Sequence, residues 1–116
     1  MENLENRLNR GFMAFTEGYG FRARISPNKI IFKNADTEIQ FTYDKLRELY
    51  IVSFSTKRKF NKIKLKSDGE GEIWVDYKEN IDNNVLSVSN RSLIIAENNV
   101  KTLVKDYSLS EYHSFF

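Results

Sequence analysis

The chain has 116 residues, with 18 Lys and Arg against 16 Asp and Glu and a net charge of +2. Its length fits one domain over residues 1–116, and a 41% hydrophobic, 14% aromatic composition supplies a packed core, which excludes wholesale disorder. The absence of cysteine excludes disulfide scaffolds, zinc–thiolate sites and thiol catalysis together.

The N-terminal segment reads as an amphipathic helix. Leu4, Leu8, Phe12 and Phe15 fall on one face of a 3.6-residue period, with Glu5, Arg7, Asn9 and Arg10 opposite. Asn3 is the expected N-cap, Gly18 and Gly20 the expected stop, and Gly11 a mid-helix cost of about 1 kcal/mol relative to alanine. From Phe21 the period becomes two. Phe21, Ala23 and Ile25 alternate with Arg22 and Arg24 as a half-buried strand, and Ser26-Pro27-Asn28 is a turn. Ile30-Ile31-Phe32 makes a second strand, and Ile39, Phe41 and Tyr43 a third. Behind Asp44, the spacing of Leu46, Leu49 and Tyr50 predicts a short helical turn feeding a strand over 51–55.

Further along, Ile63 and Leu65 alternate with Lys62, Lys64 and Lys66. The loop SDGEGE follows, and Ile73, Val75 and Tyr77 then alternate with Trp74 and Asp76, which predicts a hairpin. Val85, Leu86 and Val88 form a short strand, and Leu93, Ile94 and Ile95 another beyond an Asn90-Arg91 turn. Val100, Leu103, Val104 and Tyr107 predict a helix behind the candidate caps Asn98 and Asn99, and Ser108-x-x-Glu111 resembles a capping box for a last turn. The order predicts an α+β fold: an N-terminal helix, a curved antiparallel sheet of about seven strands, and a C-terminal helix. That order resembles pleckstrin-homology-like domains, in which a C-terminal helix closes a curved antiparallel sheet; the resemblance is one of architecture.

The first ten residues mix charges with single leucines, and the longest apolar clusters are strand-sized. Neither a secretory signal nor a membrane span is expected, and a cytoplasmic location is. The sequon Asn90-Arg91-Ser92 matters only in a secreted chain.

Catalytic chemistry finds little to work with. The single histidine, His113, lies among aromatics near the C-terminus, no G-x-S-x-G elbow is present to receive it, and no phosphate-cradling glycine motif occurs. Asp68, Glu70, Glu72 and Glu79 have the spacing of a calcium loop, but its sixth position is Ile73 where a sharp turn needs glycine. No enzyme activity, cofactor or metal is expected.

The outstanding local feature is KRKFNKIKLK: Lys57, Arg58, Lys59, Lys62, Lys64 and Lys66 give six cations and no anion. Without them the chain keeps 12 basic and 16 acidic residues, so the near-neutral total hides a polarised molecule. On a strand, Lys62, Lys64 and Lys66 share one face at about 6.6–6.8 Å spacing. Phe60 and Trp74 sit out of phase with the core pattern beside these lysines, and Arg22 and Arg24 extend the patch if their strand lies near. Lysines also protect sheet edges from unwanted pairing, which is the plain reading of the same residues. The tail is the second outlier: Tyr112, Phe115 and Phe116 either dock on the sheet or contact a partner or a second copy of the chain.

These features favour a small non-enzymatic binding module that meets an acidic protein partner through Lys57 to Lys66. The alternative is nucleic-acid binding by the same lysines, with Phe60 or Trp74 stacking. A composition rich in Asn, Lys, Ile, Phe and Tyr fits A/T-rich coding, as in a phage or mobile-element accessory factor.

Overall fold

The computed structural model describes residues 3–56, 74–79 and 84–105, with 74–79 and 84 as backbone. The fold is α+β. In chain order it runs α1 (Leu4–Arg7), α2 (Arg10–Gly18), β1 (Arg22–Ser26), β2 (Lys29–Lys33), β3 (Thr37–Asp44), β4 (Leu49–Thr56), β5 (Trp74–Glu79), β6 (Asn84–Asn90) and α3 (Leu93–Leu103). The six strands form one antiparallel sheet in the order β1-β2-β3-β4-β6-β5.

Alternation along the strands gives the sheet two unlike faces. Ile30, Phe32, Ile39, Phe41, Val52, Phe54, Leu86 and Val88 are buried on the first, beneath Leu4, Leu8 and Phe12 from the N-terminal segment and Ala96, Val100 and Leu103 from α3. Phe12 anchors α2, with its ring 5.8 Å from Phe32 and 5.5 Å from Phe41. The second face has no helical cover among the described residues. It carries half-buried Ile31, Gln40, Thr42, Ile51, Ser53 and Ser55.

The single N-terminal helix expected from the sequence is two helices. Leu8 and Asn9 are extended, and the Asn9 side chain accepts from the Gly11 N–H at 2.7 Å, so α2 starts afresh there. A short polar side chain that caps the following turn competes with helix continuation. Asn3 makes no side-chain cap bond. Gly11 therefore lies in a first turn, where a Cβ would stand 3.0 Å from Asn9 Oδ1. The stop is as expected: Gly20 adopts φ +79°, its N–H meets Glu17 O at 3.0 Å, and Phe21 N–H meets Thr16 O at 3.1 Å, a Schellman closure.

Three other expectations are corrected. The helical turn after Asp44 is a hairpin turn, in which Asp44 accepts from the N–H groups of Leu46 (3.1 Å) and Arg47 (3.2 Å) and Glu48 takes φ 53°. Leu46 is 97% exposed, so its helical spacing reflects no packed face. Leu93 to Ile95 are the first turn of α3 rather than a strand, because Ser92 caps the Ile95 N–H at 3.3 Å and the buried positions recur as Ala96, Val100 and Leu103. Asn98 and Asn99 are thus helix interior, and Asn99 donates to Asn90 Oδ1 at 3.4 Å. Finally, β1 is exposed along its whole length rather than half-buried; only Phe21, just before it, enters the core. The strand expected around Ile63 and Leu65, and the tail turn after Tyr107, lie outside the described residues.

Candidate protein interface

The pairing register locates the charges. On the second face of the sheet, Arg22 stands opposite Lys33 and Arg24 opposite Ile31, while Ser26 faces Lys29. Four cations, Arg22, Arg24, Lys29 and Lys33, therefore share one face of the β1–β2 ribbon. Arg22 and Arg24 are about 6.6–6.8 Å apart along β1 and Lys29 and Lys33 about 13 Å apart along β2, and the one directly opposed pair of cations, Arg22 and Lys33, is about 4.5–5.5 Å apart. All four are exposed. None makes an ion pair or hydrogen bond with another described side chain. The nearest acid in register is Glu38, opposite Lys33 on β3. A shallow cavity of about 340 Å³ lies here, lined by Arg22, Ala23, Arg24, Ile31, Lys33 and Glu38.

The backbone of β1 is as accessible as its side chains. Tyr43 N–H donates to Asn28 O and Asn34 N–H to Thr37 O, both at 3.0 Å, which fixes the alternation between β2 and β3. Residues 28, 30, 32 and 34 direct their amides and carbonyls toward β3, so Lys29, Ile31 and Lys33 direct theirs toward Ser26, Arg24 and Arg22. Ala23 and Ile25 are left with N–H and C=O aimed away from the sheet. No described residue bonds to them. The opening is short because its ends are closed: Phe21 N–H goes to Thr16 O, and Pro27 O accepts from Leu4 N–H at 2.9 Å. On the helix side, Ala23 and Ile25 stand opposite Phe32 and Ile30, but the helices do not reach over them, and Ile25 stays 45% exposed beside a fully buried Ile30.

A second polar feature lies at the β3–β4 hairpin. The Tyr43 and Tyr50 rings are 4.9 Å apart, Arg7 lies 5.0 Å from the Tyr43 centroid and donates to Tyr50 Oη at 3.3 Å, and a cavity of about 400 Å³ is lined by Tyr43, Arg47, Glu48, Tyr50 and Arg91. Hydrogen bonding to Tyr50 and then Tyr43 holds the Arg7 guanidinium above its ordinary pKa. Its cations are already engaged: Arg7 with the tyrosines, and Arg47 with Asp44 at 3.1 Å. Glu48 adds an opposing charge. The ribbon is the better anion surface of the two.

Of the residues singled out from the sequence, Lys57, Arg58, Lys59, Phe60, Lys62, Lys64 and Lys66 lie outside the described residues, as do Tyr112, Phe115 and Phe116. Trp74 opens β5, with its backbone opposite Ser89 in the row that contains Ile51. Arg22 and Arg24 do not lie near β5, and the expectation that they extend the lysine patch falls on residues outside the described ones. β1 and β5 stand at opposite ends of the sheet formed by the described residues, five strand spacings or about 24 Å apart. Lys29 and Lys33 were not read as site residues because they flank an apolar run. The two-residue turn Pro27-Asn28 was the available signal, since it fixes the pairing of Arg22 with Lys33. Among the described residues no helix is long and apolar enough to cross a membrane, and no three His, Asp or Glu side chains gather as metal ligands. No protein-family model, curated protein or solved structure matches this chain.

Proposed function

We propose that this chain is a small non-enzymatic module that binds a protein partner with an acidic surface. The observation that carries this reading is the β1–β2 ribbon, where four cations and the outward backbone donors and acceptors of Ala23 and Ile25 have no partner among the described residues. A cationic face attracts any polyanion, but a free strand edge adds something only a polypeptide uses. Nucleic-acid stacking needs aromatic rings beside the cations, and no ring of a described side chain lies on that face of the sheet. The run from Lys57 to Lys66 is proposed as a second cationic surface for the same class of partner.

The test titrates the full chain with a labelled acidic peptide and with single-stranded and duplex DNA of equal formal charge, across a range of salt. The peptide is expected to bind at about 0.15 M ionic strength, and the combined variant Arg22→Glu, Arg24→Glu, Lys29→Glu, Lys33→Glu to lose it. Tighter binding of DNA, with a log–log salt slope near −3 to −4 from about four phosphate contacts, would transfer the assignment to nucleic acid. Peptide binding untouched by the four reversals would remove the ribbon from it.

A further inference from the structure

We infer that β1 is a docking edge for an extended acidic segment of a partner protein, which adds to the sheet as a further strand beside Ala23 and Ile25. This rests on the protein-binding reading above and specifies its mode.

Two properties of the edge define the guest. The outward amides and carbonyls of Ala23 and Ile25 offer two donors and two acceptors, the pattern that a strand in register satisfies with four hydrogen bonds. Side chains of an added strand alternate between faces. Those beside Ala23 and Ile25 would cover the exposed apolar surface of Ile25 and extend the core past Ile30. Those on the opposite face would stand beside Arg22, Arg24 and Ser26, where guanidinium groups with no partner among the described residues select carboxylates. The guest is therefore a short segment with acidic residues at every second position and apolar residues between them.

Charge also decides against the simplest alternative occupant. A second copy paired through β1 would set arginine against arginine across the new ladder, and like charges directly opposed destabilise a strand pair. The same arginines that protect the edge from self-pairing admit a segment of opposite sign.

The probe is a labelled peptide of alternating glutamate and valine, titrated against the full chain, with a shuffled peptide of identical composition as control. Ala23→Pro removes one outward donor and keeps the β1–β2 ladder, since proline is tolerated on a strand edge where its nitrogen faces solvent. It is expected to weaken the alternating peptide about tenfold and to leave the shuffled peptide unchanged. Arg22→Glu with Arg24→Glu is expected to weaken both. Should Ala23→Pro fold poorly, the unmodified protein gives the same answer: the amide resonances of Ala23 and Ile25 shift with the alternating peptide, and those of Arg22 and Arg24 shift less. Equal binding of the two peptides, with Ala23→Pro without effect while the arginine reversals still abolish binding, overturns strand addition and leaves the acidic-partner reading standing. Loss of neither peptide on arginine reversal overturns both. Sedimentation of the free chain as a dimer that Ala23→Pro dissociates would assign the edge to a second copy.

Discussion

Glu97 joins the two ends of the described chain, and its replacement tests how the helices are held together. It is 4% exposed on α3 and accepts from the Asn9 N–H at 2.7 Å, across 88 residues of sequence, at the residue that caps α2. Burial raises its pKa above the ordinary glutamate value, and the Asn9 N–H and Lys101 only partly offset this. The folded chain therefore holds this proton more tightly than the unfolded chain. The associated stability is fully present below the ordinary Glu value of about 4.3 and is lost as pH rises through the raised folded value. Glu97→Ala orphans the Asn9 donor, at about 1–3 kcal/mol. For a domain of this size that is a fall in Tm of about 4–12 °C. The loss is expected to be larger near pH 4 than near pH 8, where the wild-type chain bears the cost of a buried carboxylate. Glu97→Gln keeps an acceptor and carries no charge, so it should match wild type near pH 4 and exceed it near pH 8. Thermal unfolding by circular dichroism at both pH values reads this directly. If Glu97→Gln is as destabilised as Glu97→Ala, or if the cost of Glu97→Ala does not change with pH, the raised pKa and the bridge from α3 to Asn9 are both refuted.

Other substitutions probe the elements separately. Phe12→Ala removes the ring wedged against Phe32 and Phe41 and should cost about 3–5 kcal/mol in urea unfolding, well above the cost of Phe15→Ala at a half-buried site. Ser92→Ala deletes the cap on Ile95 N–H and should cost about 0.5–2 kcal/mol if α3 begins where described, but nothing measurable if residues 93–95 are a strand. Gly20→Ala is strained at φ +79° and should lose about 1–2 kcal/mol. Gly18→Ala meets no atom within 4 Å and should gain about 0.5–1 kcal/mol, so the two glycines should respond with opposite sign.

Much of the architecture was legible because period and composition agreed. Ile39, Phe41 and Tyr43 in β3, and Ile30 and Phe32 in β2, are strand residues as read, and Leu4, Leu8 and Phe12 face the core although the helix carrying them is broken. The errors fall where one residue had two local roles. Asn9 looked like an exposed helix position and is a cap; Ser92, read only as the last residue of a sequon, is the N-cap of α3. Three consecutive β-branched or leucine residues, Leu93 to Ile95, fit a strand by propensity until the cap and the buried spacing outweigh it. The exposure of β1 was not readable from alternation, because Ala23 and Ile25 have the apolar pattern of a covered strand and only the reach of the helices leaves them uncovered. The ribbon's charge was hidden for a similar reason. A contiguous cluster such as Lys57 to Lys66 is visible in one dimension, whereas Arg22, Arg24, Lys29 and Lys33 become neighbours only through the hairpin register.

The most direct measurement is residue-by-residue amide hydrogen exchange along β1 in the free chain. Arg22, Arg24 and Ser26 should be protected by their bonds to β2, and Ala23 and Ile25 between them should exchange far faster and become protected when an acidic alternating peptide is added. Slow exchange at Ala23 and Ile25 in the free chain would mean that the edge is already paired, and no guest strand could use it.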